Sequence, residues 1–71
     1  MNKDTYVAWL TQRITFCKER LDLIEKAFAE EFAKPIQRRQ RILLLFLDKE
    51  RSVYSFALAE LEGALVRVDY D

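Results

Sequence analysis

The chain has 71 residues, and its 12 lysines and arginines balance 12 aspartates and glutamates, so no net charge draws it to nucleic acid or an anionic membrane. Histidine is absent and Cys17 is the only cysteine, which removes the commonest general base and any internal disulfide. These counts favour one cytoplasmic domain over residues 1–71 that is not an enzyme and holds no metal or cofactor.

The first predicted element is a long amphipathic helix over about residues 4–33. Asp4 or Thr5 is its expected N-cap, since short polar side chains at that position accept a backbone N–H. Apolar residues recur along it at alternating spacings of three and four, which place them on one face of a helix. They are Val7, Leu10, Ile14, Cys17, Leu21, Ile24 and Phe28.

Pro35 is the only proline and marks a turn at residues 34–35. The residue before a proline is disfavoured in a helix, and proline suits the first turn of the next one. A second apolar pattern then predicts a helix over about residues 36–68. Because the connection between the helices is short, the predicted fold is all-α, an antiparallel helical hairpin.

A break inside the second helix is the open question in this fold. Glu50 stands where the pattern expects an apolar residue, and Asp48 and Ser52 are both residues that cap helices. The sequence therefore leaves two possibilities: one continuous second helix, or a third helix that begins after a kink near residues 48–52.

Both helices carry more apolar residues than a hairpin needs. Trp9, Phe16 and Leu23 follow at seven-residue intervals beside the main apolar face, and the run 42–47 is apolar all round its helix. Leaving several such side chains in water costs several kcal/mol, comparable with the whole stability of a small domain. We therefore expect a homodimeric four-helix bundle, with a dimer core of Ile42, Leu45, Phe46 and Leu47.

The residue types along the first helix also predict contact with another protein. Tryptophan, tyrosine and arginine are enriched where interfaces gain most of their binding energy. The expected interaction surface consists of Tyr6, Trp9, Arg13 and Phe16. Our first hypothesis is a small regulator or adaptor, of bacterial or phage origin, that acts through helix-mediated protein binding and self-association.

Two alternatives stay open. A nucleic-acid-binding dimer would use the basic cluster Lys34, Arg38, Arg39 and Arg41 for phosphate contacts. The balanced total charge and the absence of a groove-reading motif instead favour a polar turn that pairs with Glu30 and Glu31. The other alternative is a structural subunit of a larger assembly. No membrane contact is expected, because the longest apolar run, 42–47, is far shorter than the ~20 residues of a spanning helix.

Overall fold

The computed structural model of the chain describes residues 2–70, with Tyr70 described by its backbone alone; positions 1 and 71 of the expected domain lie outside. Helix α1 spans Lys3–Ala33 and helix α2 spans Arg41–Tyr70. The helices pack side by side into a hairpin whose Cα atoms extend over 53 × 16 × 14 Å. The predicted all-α hairpin is confirmed, and the described residues contain no strand.

Helix α1 begins slightly earlier than predicted because Asn2 is its N-cap. The Asn2 side-chain oxygen accepts the N–H of Thr5 at 2.8 Å. The expected caps, Asp4 and Thr5, lie inside the first turn, where the acid of Asp4 is favourable near the positive end of the helix dipole. Asparagine caps a helix as well as aspartate or threonine does, so the first helix gains residue 3.

The core of the hairpin is a single row of side chains between the two helices. The most completely buried is Leu10, at 1% exposed. Four of the predicted apolar positions of α1 and one leucine of α2 are buried in this row, and Cys17 among them is a free thiol. The buried apolar residues are Leu10, Ile14, Cys17, Ile24 and Leu47.

Helix α2 continues without interruption through residues 48–52, so the third helix does not form. The residues expected to cap it are satisfied within α2 instead. The Asp48 carboxylate accepts from Arg51 at 2.7 Å, and the Ser52 hydroxyl donates to the backbone carbonyl of Asp48 at 3.1 Å. Glu50 is half-buried at the surface and does not enter the core.

The connection is longer than predicted, since α2 begins at Arg41 and not near residue 36. Residues Ile36–Arg38 form a 3₁₀ turn, in which the Arg38 N–H donates to the Pro35 carbonyl at 2.8 Å. Arg39 is extended, and Gln40 directly precedes the first residue of α2. Two side chains, Glu31 and Arg39, account for this path.

The Glu31 carboxylate, only 3% exposed, joins the end of α1 to the start of α2. It accepts the Lys34 ammonium at 2.8 Å and the backbone N–H of Gln40 at 2.6 Å. Gln40 in turn accepts the N–H of Leu44 at 3.1 Å, which opens α2. A helix from residue 36 would direct the Gln40 N–H to its own fourth-preceding carbonyl and so break the bond to Glu31.

Arg39 satisfies the carbonyl end of α1. Its Nε donates to the Lys34 carbonyl at 3.0 Å and its Nη2 donates to the Phe32 carbonyl at 2.9 Å. The guanidinium also lies 5.2 Å from the centroid of the Phe32 ring. The last carbonyls of a helix have no partner within it, and a cation there is favourable with respect to the helix dipole.

The hydrogen bond from Lys34, and then that from Gln40, lowers the pKa of Glu31 below its ordinary value of 4.5. A carboxyl whose pKa is lowered by folding stabilises the fold above the unfolded pKa, and this contribution is lost as the pH falls through the folded pKa. Glu31→Gln should therefore lower the melting temperature at pH 7 and make stability depend less on pH below about 4.5. Thermal unfolding followed by circular dichroism from pH 7 to pH 3 measures both effects.

The matched control is Glu30→Gln, which changes the neighbouring, exposed carboxylate. It should keep the melting temperature and the acid dependence of the unmodified chain. Equal behaviour of the two variants would show that Glu31 does not hold the connection.

Candidate protein-interaction surface

Six large apolar side chains from both helices are exposed on one long side of the hairpin. Trp9 and Phe16 of α1 line a surface hollow with Val53 and Phe56 of α2. Leu23 of α1 lines a second hollow with Phe46 of α2. Each of these side chains is between 43% and 69% exposed. We name this surface the apolar face; its members are Trp9, Phe16, Leu23, Phe46, Val53 and Phe56.

The two hollows open on the same side because of helix periodicity. Trp9, Phe16 and Leu23 are seven residues apart, and seven residues return to nearly the same side of a helix. Phe46 and Val53 are related in the same way along α2. The apolar face therefore runs along the hairpin as one surface that both helices share.

The opposite side of the hairpin has a different character. Arg51 follows Phe46 by five residues and so points about 140° away from it around α2. Its guanidinium lies 4.8 Å from the centroid of the Phe28 ring and 3.8 Å from the Glu25 carboxylate. Arg51 thus crosses this side of the hairpin, where it covers an aromatic ring that would otherwise extend the apolar surface.

The predicted interaction residues lie together at the end of the apolar face away from the turn. Trp9, Arg13 and Phe16 line one hollow, and the half-buried Tyr6 stacks on Trp9 with ring centroids 6.3 Å apart. Phe16 meets Tyr54 of α2 edge-on, with centroids 6.1 Å apart. The aromatic rings are therefore held in place while one side of Trp9 and Phe16 stays open.

The predicted dimer-core residues do not all lie on one surface. Ile42, Leu45 and Phe46 are 82%, 63% and 56% exposed, and Phe46 belongs to the apolar face. Leu47 is only 7% exposed and packs within the hairpin core. The sequence analysis did not assign Val53 and Phe56 to a site, although their spacing of seven and ten residues from Phe46 is a helical repeat that could have indicated them.

Two arginines and two glutamates line the hollows together with the apolar side chains. Arg20 of α1 and Glu50 of α2 line the hollow beside Leu23, while Arg13 and Glu60 line the other hollow. Within residues 2–70 these four side chains form no ion pair. Arg13 lies 5.5 Å from the centroid of Phe16, and Arg20 lies over Tyr54. In both hollows, α1 supplies a cation and α2 supplies an anion.

The predicted phosphate-binding cluster is divided by the turn. Lys34 pairs with Glu31 and Arg39 binds two carbonyls of α1, so both serve the connection between the helices. Arg38 and Arg41 are exposed and have no side-chain hydrogen bond or ion pair among the described residues. Two of the four cations in the cluster, Arg38 and Arg41, therefore remain uncommitted in this part of the structure.

The same described residues contain no group of three or more cysteine, aspartate or glutamate side chains placed to hold a metal ion. Neither of the two helices, as far as they are described, combines the length and the apolar character that a membrane crossing requires.

The difference between core and apolar face can be measured with two leucines of the same helix. Leu10 is 1% exposed and Leu23 is 55% exposed. Leu10→Ala should lower the free energy of unfolding by about 2–5 kcal/mol, because it leaves a cavity. Leu23→Ala should cost about 0.5 kcal/mol or less in dilute solution, where the side chain faces water. Urea unfolding at low protein concentration provides both values, and similar losses would contradict the assignment of Leu23 to an open surface.

Comparison of the chain with protein-family models, with curated proteins and with solved structures gives no match. A function therefore has to be inferred from the chemistry of the chain's own surface. That surface combines a continuous apolar face with cations on one helix and anions on the other.

Proposed function

We propose that this protein is a small non-enzymatic regulator or adaptor that binds another protein with its apolar face. The observation that supports this most strongly is the continuity of the face, where six large apolar side chains from both helices lie on one side of the hairpin. Soluble chains rarely leave such a patch in water unless it is an interaction site.

The total surface of the chain supports the proposal. A monomeric protein of this mass exposes about 4,700 Å², whereas this chain exposes 5731 Å². Its radius of gyration is 16.2 Å, against about 11 Å for a compact domain of this length. Over residues 2–70 the hairpin has no third element on its sides, and a partner would bury them.

The shape of the face indicates the kind of partner. It is long and narrow, and the hollows between α1 and α2 accept side chains that project from a helix. An amphipathic helix or a second helical pair therefore fits it best. Trp9 and Arg13 at one end are of the residue types that contribute most to binding energy in protein interfaces. A structural subunit, one of the alternatives from the sequence, would use the same face.

A nucleic-acid function has less support from the structure. Lys34 and Arg39 are occupied in the turn, which leaves Arg38 and Arg41 as the exposed cations of that cluster. Two arginines per chain provide few phosphate contacts.

The proposed function can be tested with two valines of α2. Val53 is 53% exposed and lies on the apolar face, while Val66 is 54% exposed and lines neither hollow. Thirteen residues separate them, so Val66 points about 140° away from Val53. Val53→Asp should reduce partner binding at least tenfold, because an unpaired charge at a buried contact is costly. Val66→Asp should leave binding unchanged.

The measurement is capture of cross-linked partners by the tagged chain in cells, with quantitative mass spectrometry of the unmodified protein and both variants. Circular dichroism checks that the variants keep their helix content. Partners that bind the unmodified chain and Val66→Asp but not Val53→Asp would support the proposal. Equal capture by the two variants would refute it.

A further inference from the structure

We infer that a second copy of this chain covers the apolar face, in a two-fold dimer whose two hairpins run in the same direction. Helix α1 of each copy then lies against α2 of the other, which completes a four-helix bundle. This inference rests on the proposed function, because it names an occupant of the same face.

The size of the face matches what a dimer requires. With Cα extents of 53 Å along the helices and 16 Å across them, one long side measures roughly 850 Å², close to the ~800 Å² that each partner buries in a standard interface. Two-fold dimers are the commonest closed assemblies, and in them the same surface of both copies is used. The apolar face, shared by both helices, is such a surface.

Geometry allows two orientations of such a dimer. A two-fold axis parallel to the helices keeps both hairpins in the same direction and sets α1 against α2 of the partner. An axis across the helices reverses one hairpin and sets α1 against the α1 of the partner. The charges along the apolar face distinguish these orientations.

In the first orientation, each hollow faces the equivalent hollow of the partner subunit. Arg20 then faces Glu50 of the partner subunit, and Arg13 faces Glu60 of the partner subunit. Each contact occurs twice by symmetry, so the interface gains four pairs of opposite charge. The apolar side chains also complement one another, since Leu23 meets Phe46 of the partner subunit.

In the second orientation, the hollow beside Leu23 in one copy faces the hollow beside Trp9 in the partner subunit. Arg20 then faces Arg13 of the partner subunit, and Glu50 faces Glu60 of the partner subunit. Like charges at an interface are unfavourable, and here every facing pair has like charges. Because the four groups form no ion pair within one chain over the described residues, the arrangement of charge favours the first orientation.

Charge reversal at one level tests this orientation directly. In the first orientation, Arg20→Glu sets an acid at position 20 against Glu50 of the partner subunit. Glu50→Arg likewise sets a base at position 50 against Arg20 of the partner subunit. Each repulsive contact occurs twice by symmetry. Each variant alone should dimerise about tenfold more weakly than the unmodified chain. An equimolar mixture of the two variants should recover the original affinity, because every facing pair is then opposite in charge. Sedimentation equilibrium over a wide concentration range measures these affinities.

The matched control is Lys18→Glu, which has the same size of charge change at an exposed position. Lys18 follows Phe16 by two residues and so points about 160° away from it around α1. The Lys18→Glu variant should dimerise with the same affinity as the unmodified chain. If Arg20→Glu and Glu50→Arg instead strengthen the dimer, or leave it unchanged, the proposed orientation is wrong.

Trp9 provides an independent measurement with the unmodified protein, since it is the only tryptophan and is 46% exposed on the apolar face. As the protein concentration rises, dimer formation should shift the fluorescence emission of Trp9 to shorter wavelength and reduce its quenching by acrylamide. A chain that stays monomeric at all concentrations, with constant emission, overturns the inference of a second copy. The proposed function would then still be decided separately by the partner capture of the Val53 and Val66 variants.

Discussion

The contact between α1 and α2 covers only one row of side chains on each helix, and this limit shapes the rest of the protein. Leu10, Ile14 and Ile24 of α1 and Leu47 of α2 lie in that row and are nearly excluded from water. The apolar residues one quarter-turn away, such as Phe16, remain open because residues 2–70 place no third element beside the pair. A stable hairpin and an open apolar face therefore have the same origin, since one contact cannot cover two sides of a helix.

The turn sets which residues of the two helices lie at the same level. Glu31 binds the backbone of Gln40, and Arg39 binds the last carbonyls of α1, so the start of α2 is fixed relative to the end of α1. The placement of Arg20 and Glu50 around the same hollow depends on that fixed start. The balanced net charge of the chain thus conceals an ordered arrangement, in which cations line the face from α1 and anions line it from α2.

Under the proposed function, self-association and partner binding use the same face and compete. A second copy would cover Trp9 and Phe56 and so lower the concentration of chains available to another protein. The level of the chain and its dimer affinity would then set how strongly a partner must bind. A partner that reproduced the order of arginine and glutamate along the face would have an advantage over one that offered apolar contact alone.

Local spacing determined a large part of this protein. The intervals between Leu10, Ile14, Cys17 and Ile24 were sufficient to predict both α1 and the apolar residues it buries, because a helix repeats every 3.6 residues whatever lies around it. The same spacing showed that Trp9 and Phe16 were surplus to one contact. The spacing did not predict contacts between segments that are distant in the sequence.

Tertiary structure decided the path of the connection and the membership of the apolar face. Glu31 reads as a surface acid in the sequence, yet it is buried, since its partner Gln40 comes near only after the chain has turned. Leu47 and Phe46 are adjacent and equally apolar, and only the position of α1 determines which is buried and which is exposed. That position depends on the turn, and the periodicity of either helix carries no information about it.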